Sequence, residues 1–126
     1  MAQAERDLAH ARRDLEDGFY EWAAFSAQQA AEKAVKAVFQ RLGAVAWGHS
    51  VADLLFELSK TFEVPEDLIK AALALDKAYI PSRYPDAHPS GTPSARFTRS
   101  ESAALIQHAE AILAFGKGLL SQMDTG

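Results

Sequence analysis

Arg83, Tyr84, Asp86 and His88 fall within six consecutive positions, in a run that reads Ile-Pro-Ser-Arg-Tyr-Pro-Asp-Ala-His-Pro from Ile80. Arginine offers a planar fork of donors that fits a phosphate. Tyrosine can stack on a base or donate its hydroxyl. Histidine exchanges a proton near neutral pH. Tyr79 precedes this group, and Arg96 and Arg99 follow it. The set suits recognition of a nucleotide, with Arg83, Tyr84 and Asp86 as the candidate binding residues. A competing reading needs no ligand: Arg83 and Asp86 pair with each other or cap helix ends, Tyr84 plugs the core, and His88 is simply solvated.

His49 is the fourth candidate for nucleotide binding. It stands just before an expected helix start, where free backbone amides favour an anion; capping or packing is the competing role. His10 belongs on the surface and His108 on the outer side of the last helix. No histidine has a helical partner four residues on, so no metal site is expected. There is no nucleophile elbow, no glycine-rich phosphate loop and no cofactor motif.

Helices must position these groups. The longest stretch without Gly or Pro runs from Phe19 to Leu42 and is rich in Ala, Gln, Glu and Lys, all good helix formers. Ala23, Ala27, Ala30, Ala34 and Ala37 make one stripe, and Ala31, Val35, Val38 and Leu42 make a second beside it. Together they span an apolar arc of roughly 160° at 100° per residue. A helix of this kind needs neighbours on several sides. Trp22, Phe25 and Phe39 lie off the stripes, toward Glu21, Gln28, Glu32 and Lys36, and are expected to form a homodimer surface or a contact with a neighbouring helix. Gly43 is the expected stop.

The other elements follow in order. A first helix is expected from Gln3 to Asp17, with Ala4, Leu8, Ala11 and Leu15 inward and Gly18 as a break. Ser50 and Asp53 resemble a capping box for a helix from Val51 to Thr61. Pro65, followed by two acids, opens a helix that reaches Tyr79 or Ile80, with Leu68, Ala72, Leu75 and Tyr79 on one face and Ile69 and Leu73 beside them. Positions 81 to 93 hold four of the five prolines and read as a long loop. Thr98 and Glu101 form a second capping box. The last helix then runs to about Leu120, with Leu105, Ala109, Ile112, Gly116 and Leu119 inward, and leaves a fraying tail from Gln122 to Gly126. The expected fold is all-α: an antiparallel bundle of about five helices, with a proline-rich loop before the last, in a single domain spanning 1–126.

Composition sets outer limits. A chain of 126 residues suffices for a core without staples. The absence of cysteine leaves neither disulfides nor thiolate metal sites and fits a reducing, cytoplasmic setting. No apolar run is long enough to cross a bilayer, and no signal peptide is expected at the start. A net charge of −4 argues against a surface built to coat duplex DNA.

Three segments together resemble the HEPN family, the higher eukaryotes and prokaryotes nucleotide-binding domains. They are Ala-Phe-Ser-Ala-Gln-Gln-Ala-Ala-Glu-Lys-Ala-Val-Lys-Ala from Ala24 on to Gly43, Gly-His-Ser-Val-Ala-Asp-Leu-Leu from Gly48, and Tyr-Ile-Pro-Ser-Arg-Tyr-Pro-Asp from Tyr79. The resemblance implies a helical bundle that forms a homodimer, binds a nucleotide, and partners a minimal nucleotidyltransferase in a two-component, toxin–antitoxin-like system. Many members of the family are metal-independent ribonucleases whose motif is Arg, four to six residues, then His. Arg83 and His88 meet that spacing, which makes them the candidate catalytic pair on RNA: His88 as general acid or base, Arg83 on the developing charge. The motif begins a helix in those members, with a polar residue after the Arg; here Tyr84 follows, between Arg83 and Pro85. A dimerising scaffold without a small ligand is the third reading.

Overall fold

A computed structural model describes residues 1–79 and 96–125. Its helices are α1 (Ala2–Glu16), α2 (Tyr20–Arg41), α3 (Val51–Leu58), α4 (Glu66–Asp76) and α5 (Arg99–Thr125). The all-α bundle of five helices is therefore as expected. α1 and α2 run antiparallel, with Lys33 Nζ 2.6 Å from Asp7 and His10 opposite Ser26. α1 and α5 are also antiparallel, since Arg12 pairs with Glu110, and Lys117 with Glu5. Two helices that both oppose α1 must share a direction. Ser102 accordingly donates to the carbonyl of Tyr20 at the start of α2, while Arg41 reaches Asp124 at its end.

Local sequence sets the breaks. Gly18 and Gly43 both take positive φ, +84° and +75°, as residues just past a helix end. Each closes a Schellman motif. Phe19 N–H donates to Asp14 O and Gly18 N–H to Leu15 O; Ala44 N–H donates to Phe39 O and Gly43 N–H to Gln40 O. Ser50 Oγ accepts from Asp53 N at 3.1 Å, as its spacing predicts. Thr98 and Glu101 cap α5 in both directions, Thr98 N to Glu101 Oε1 at 2.8 Å and Glu101 N to Thr98 Oγ1 at 3.1 Å.

α2 touches all four other helices, most extensively α5 and α1. Its alanines at 23, 24, 27, 30, 31 and 34 are fully enclosed, so neighbouring backbones come close. One core cluster draws on every helix, including Leu8, Val38, Leu55, Leu75 and Ile112.

Several expectations need correction. Of the two roles expected for Phe39, packing inside the bundle is the one it takes, but Gln28 and Glu32 on its side of α2, expected to be solvated, are buried as well. The side read as polar is therefore a second packed face, and only Trp22, edge-on to Phe25 at 6.2 Å, stays open. Leu42 is exposed. So is Leu73, at 53%: α4 buries Ala72 and Leu75 as expected, but Ala71 rather than Leu73 beside them, with Ala78 buried just past its end. α3 stops at Leu58, where the Ser59 hydroxyl donates to the carbonyl of Phe56 and competes with the helix ladder. α4 stops at Asp76, and the next residues tighten into three-residue turns, Ala78 N to Leu75 O and Tyr79 N to Asp76 O. α5 runs past Leu120 to Thr125, because Met123 packs on the core and Arg41 holds both Asp124 and the Met123 carbonyl.

The glycines of α5 and its capping box can be tested by stability measurements. Gly118 lies mid-helix, and a Cβ added there would meet nothing within 4 Å. At Gly116 an added Cβ would meet the Met1 methyl at 3.4 Å and Ala34 O at 3.6 Å, both ordinary contacts. Gly118→Ala is expected to raise unfolding free energy by about 0.5–1 kcal/mol in urea titration, and Gly116→Ala to be neutral or mildly stabilising. The Glu101 carboxyl is held below its ordinary value of 4.5, first by the Thr98 backbone amide and then by its side chain. A depressed folded value stabilises above the unfolded value and is lost as pH falls through the folded one. Stability should therefore drop below about pH 4.5 in the native chain and drop less in Glu101→Gln, by thermal melts from neutral pH into the acid range.

Candidate functional site

Gln28, Glu32 and Lys36 follow at four-residue spacing along α2, so they form one stripe on it. The loop from Gly43 to Ser50 crosses this stripe, and Gly48, at φ +87°, provides the turn. Gln28 Nε2 donates to the carbonyl of His49 at 3.1 Å and to Glu32 Oε1 at 3.2 Å. Gln29 Nε2 in turn donates to Gln28 Oε1 at 2.7 Å. Lys36 Nζ lies 3.0 Å from Glu32 Oε2. The ring nitrogen Nδ1 of His49 stands 3.3 and 3.2 Å from the two oxygens of Glu32. A buried carboxylate is costly unless it is paired and hydrogen-bonded, and here three side chains converge on it.

The outer face of the cluster is aromatic. The rings of His49 and Tyr79 stack at 4.6 Å with 15° between their planes. What brings Tyr79 there is Asp76, at the last turn of α4. Its carboxylate accepts from Val51 N at 2.7 Å, Ala52 N at 3.2 Å and Ser50 Oγ at 2.8 Å. The end of α4 is thus fastened to the start of α3, immediately beside His49. The free amides expected to attract an anion at this helix start are taken by the chain's own carboxylate, and the chemistry of His49 lies in its ring.

The arrangement joins a histidine, oriented by a carboxylate and flattened against a tyrosine, with a solvent-facing edge: the His49 side chain is 54% exposed. It can present a flat surface to a base and hydrogen-bond a polar ligand. Of the residues expected to bind or catalyse, His49 is the one within the described structure; Arg83, Tyr84, Asp86 and His88 lie outside the described residues. Tyr79 is four positions before Arg83 in the chain. Arg99 donates to the Leu15 carbonyl and so serves the junction of α5 with α1. His10 pairs with Asp14 at 2.9 Å, and His108 lies in a shallow groove with Ala74, Lys77, Phe97 and Glu101. Among the described residues no three His, Cys, Asp or Glu side chains gather closely enough to hold a metal ion.

Gln28 and Glu32 hold His49 in this candidate site, and helical periodicity does not single them out. The signal for them in the sequence is their company: Phe25 and Phe39 share their side of α2, and large aromatics there mark a face that is not solvated.

If Asp76 fastens α3 to α4, Asp76→Ala should lower stability by roughly 2–4 kcal/mol in urea unfolding, since three donors lose a charged acceptor. Asp76→Asn, which keeps one acceptor oxygen, should lose less.

The same chain has recognisable relatives. A model of the HEPN domain matches residues 1–119. Among solved structures, the chain is similar to TT1696 from Thermus thermophilus, with 52% identity over 94% of this chain and 93% of that one and a TM-score of 0.81. It is similar to a HEPN domain protein, TM0613, from Thermotoga maritima, with 54% identity over 94% and 93% and a TM-score of 0.76. It is also similar to ST0689, described as an archaeal HEPN homologue, with 42% identity over 93% and 91% and a TM-score of 0.73. None of the curated proteins compared with it matches.

Proposed function

The chain belongs to the HEPN domain family, and from that premise we propose that it is a nucleotide-binding module. In this reading it works as a homodimer and as the partner of a minimal nucleotidyltransferase in a two-component, toxin–antitoxin-like system. The observation that supports it best is the His49–Tyr79 stack above buried Glu32. It offers a flat, polar-edged surface at the point where the chain continues toward Arg83. Arg83 is assigned to phosphate, Tyr84 to the base, and Asp86 and His49 to the remaining polar groups of the ligand.

The homodimer rests on open apolar side chains. Trp47 is 84% exposed, and Val45 and Leu42 are exposed near it in the chain. With Phe39 turned inward, these residues replace the aromatic side of α2 as the proposed association surface. No helix of the described residues is long and apolar enough to cross a membrane.

Calorimetric titration with ribonucleoside monophosphates tests the module. Binding is expected, and Arg83→Ala should weaken it by about 10- to 100-fold, the range of a charge-assisted phosphate contact. His49→Ala should weaken it too. Sedimentation at micromolar concentration should give the dimer mass. RNA incubated with the protein should remain intact. Cleavage abolished by His88→Ala would move the assignment to a metal-independent ribonuclease using Arg83 and His88, and the absence of any nucleotide binding would leave a dimerising scaffold.

A further inference from the structure

Tying the loop to α2 does not require a carboxylate beneath His49. The Gln28 amide already holds the backbone carbonyl of His49. Yet Glu32 is buried, at 5% exposure, and spends both oxygens on side chains: Gln28 on one, Lys36 on the other, with His49 Nδ1 near both. A carboxylate facing an ammonium and an amide N–H acts as an acceptor. Its third partner must therefore be a donor, so the proton of a neutral His49 sits on Nδ1. Nε2 then carries the lone pair. Among the described residues it has no hydrogen-bond partner, and the ring is stacked on Tyr79 in a fixed plane. Lys36 offsets the charge of Glu32, so the carboxylate orients the ring without leaving a surplus negative charge toward a phosphate.

We propose that Glu32 is a positioning residue that locks His49 in the Nδ1–H tautomer, so that Nε2 is offered as acceptor to an O–H or N–H donor of the bound nucleotide. The ligand half of this proposal rests on the nucleotide-binding reading; the tautomer half does not. The chemistry of the acceptor narrows the contact. Phosphate oxygens at neutral pH are acceptors and do not match a neutral Nε2. Ribose hydroxyls and exocyclic base amines do match. Carboxylates behind metal-binding histidines serve the same end, fixing tautomer and ring direction.

The test is nitrogen NMR of protein carrying ¹⁵N-labelled histidine, with calorimetry in parallel. In the free native chain, at a pH where the ring is neutral, the one ring proton of His49 is expected on Nδ1, with Nε2 bare. Adding AMP or CMP should move the Nε2 resonance. If a ribose hydroxyl is the donor, 2′,3′-dideoxy-AMP will lose the shift; if a base amine is, UMP will lose it while CMP keeps it. Glu32→Gln, whose amide oxygen still accepts from Nδ1, should keep the tautomer. Glu32→Ala should give a tautomer mixture and about tenfold weaker binding or worse. A role limited to packing would leave Nε2 indifferent to ligand. The proposal is overturned if the native chain carries the proton on Nε2, or if calorimetry shows AMP and CMP bound while the Nε2 resonance stays put with both. If no nucleotide binds at all, the binding reading falls together with the ligand half, whereas a wrong tautomer sinks this inference alone.

Discussion

α2 is packed by all four other helices, and this crowding governs most of what the chain can do. A helix so enclosed has almost no side on which to place a large or charged group. Alanine resolves the packing along most of its length, because it lets neighbouring backbones approach and forfeits no side-chain entropy. The exception is the stripe of Gln28, Glu32 and Lys36. A charge enclosed at Glu32 would cost several kcal/mol if left alone. It persists because an ammonium, an amide and an imidazole meet it there. Removing one partner would leave the others poorly satisfied, so the cluster acts as a unit.

The same crowding explains which parts of the fold are legible in the sequence. Helix ends with a local chemical cause can be read: Gly18 and Gly43 where φ must be positive, Ser50 and Thr98 where amides need an acceptor, Pro65 where no amide is required. Ends set by distant residues cannot. α5 continues to Thr125 because Arg41, far away in the chain, holds its last turn, and a polar tail gives no hint of that. The end of α4 depends on Asp76 reaching the first amides of α3. Nothing local to Asp76 distinguishes it from a surface acid.

The candidate site divides in a similar way. His49 is recognisable as a residue poised before a helix, although the interaction expected there, with an anion at free amides, gives way to the chain's own Asp76. Glu32 stays hidden because periodicity assigns it to the solvated side. Periodicity counts apolar residues, and a face built from Gln, Glu and aromatics scores as polar even when it is enclosed. The aromatic neighbours Phe25 and Phe39 carry the contrary information, but aromatics at that spacing are equally compatible with a partner surface. Sequence pattern reports hydrophobicity well and hydrogen-bond satisfaction hardly at all.

The position of the His49–Tyr79 pair can be traced to a short chain of causes. Asp76 fastens the close of α4 to the opening of α3, and this brings Tyr79 within reach of the residue that precedes Ser50. Gln28 and Glu32 fix that residue from below, one through its backbone and one through its ring. Three separate segments therefore meet at one imidazole, and each uses a buried or half-buried polar contact to do so. A loop histidine held only by its own backbone would sample many rotamers, and each would have to be frozen out on binding a ligand. Here that ordering is completed during folding, by groups whose desolvation is already matched. Such preorganisation has no evident use to a loop that merely connects two helices, which is the physical reason for placing the proposed nucleotide contact at this end of the bundle.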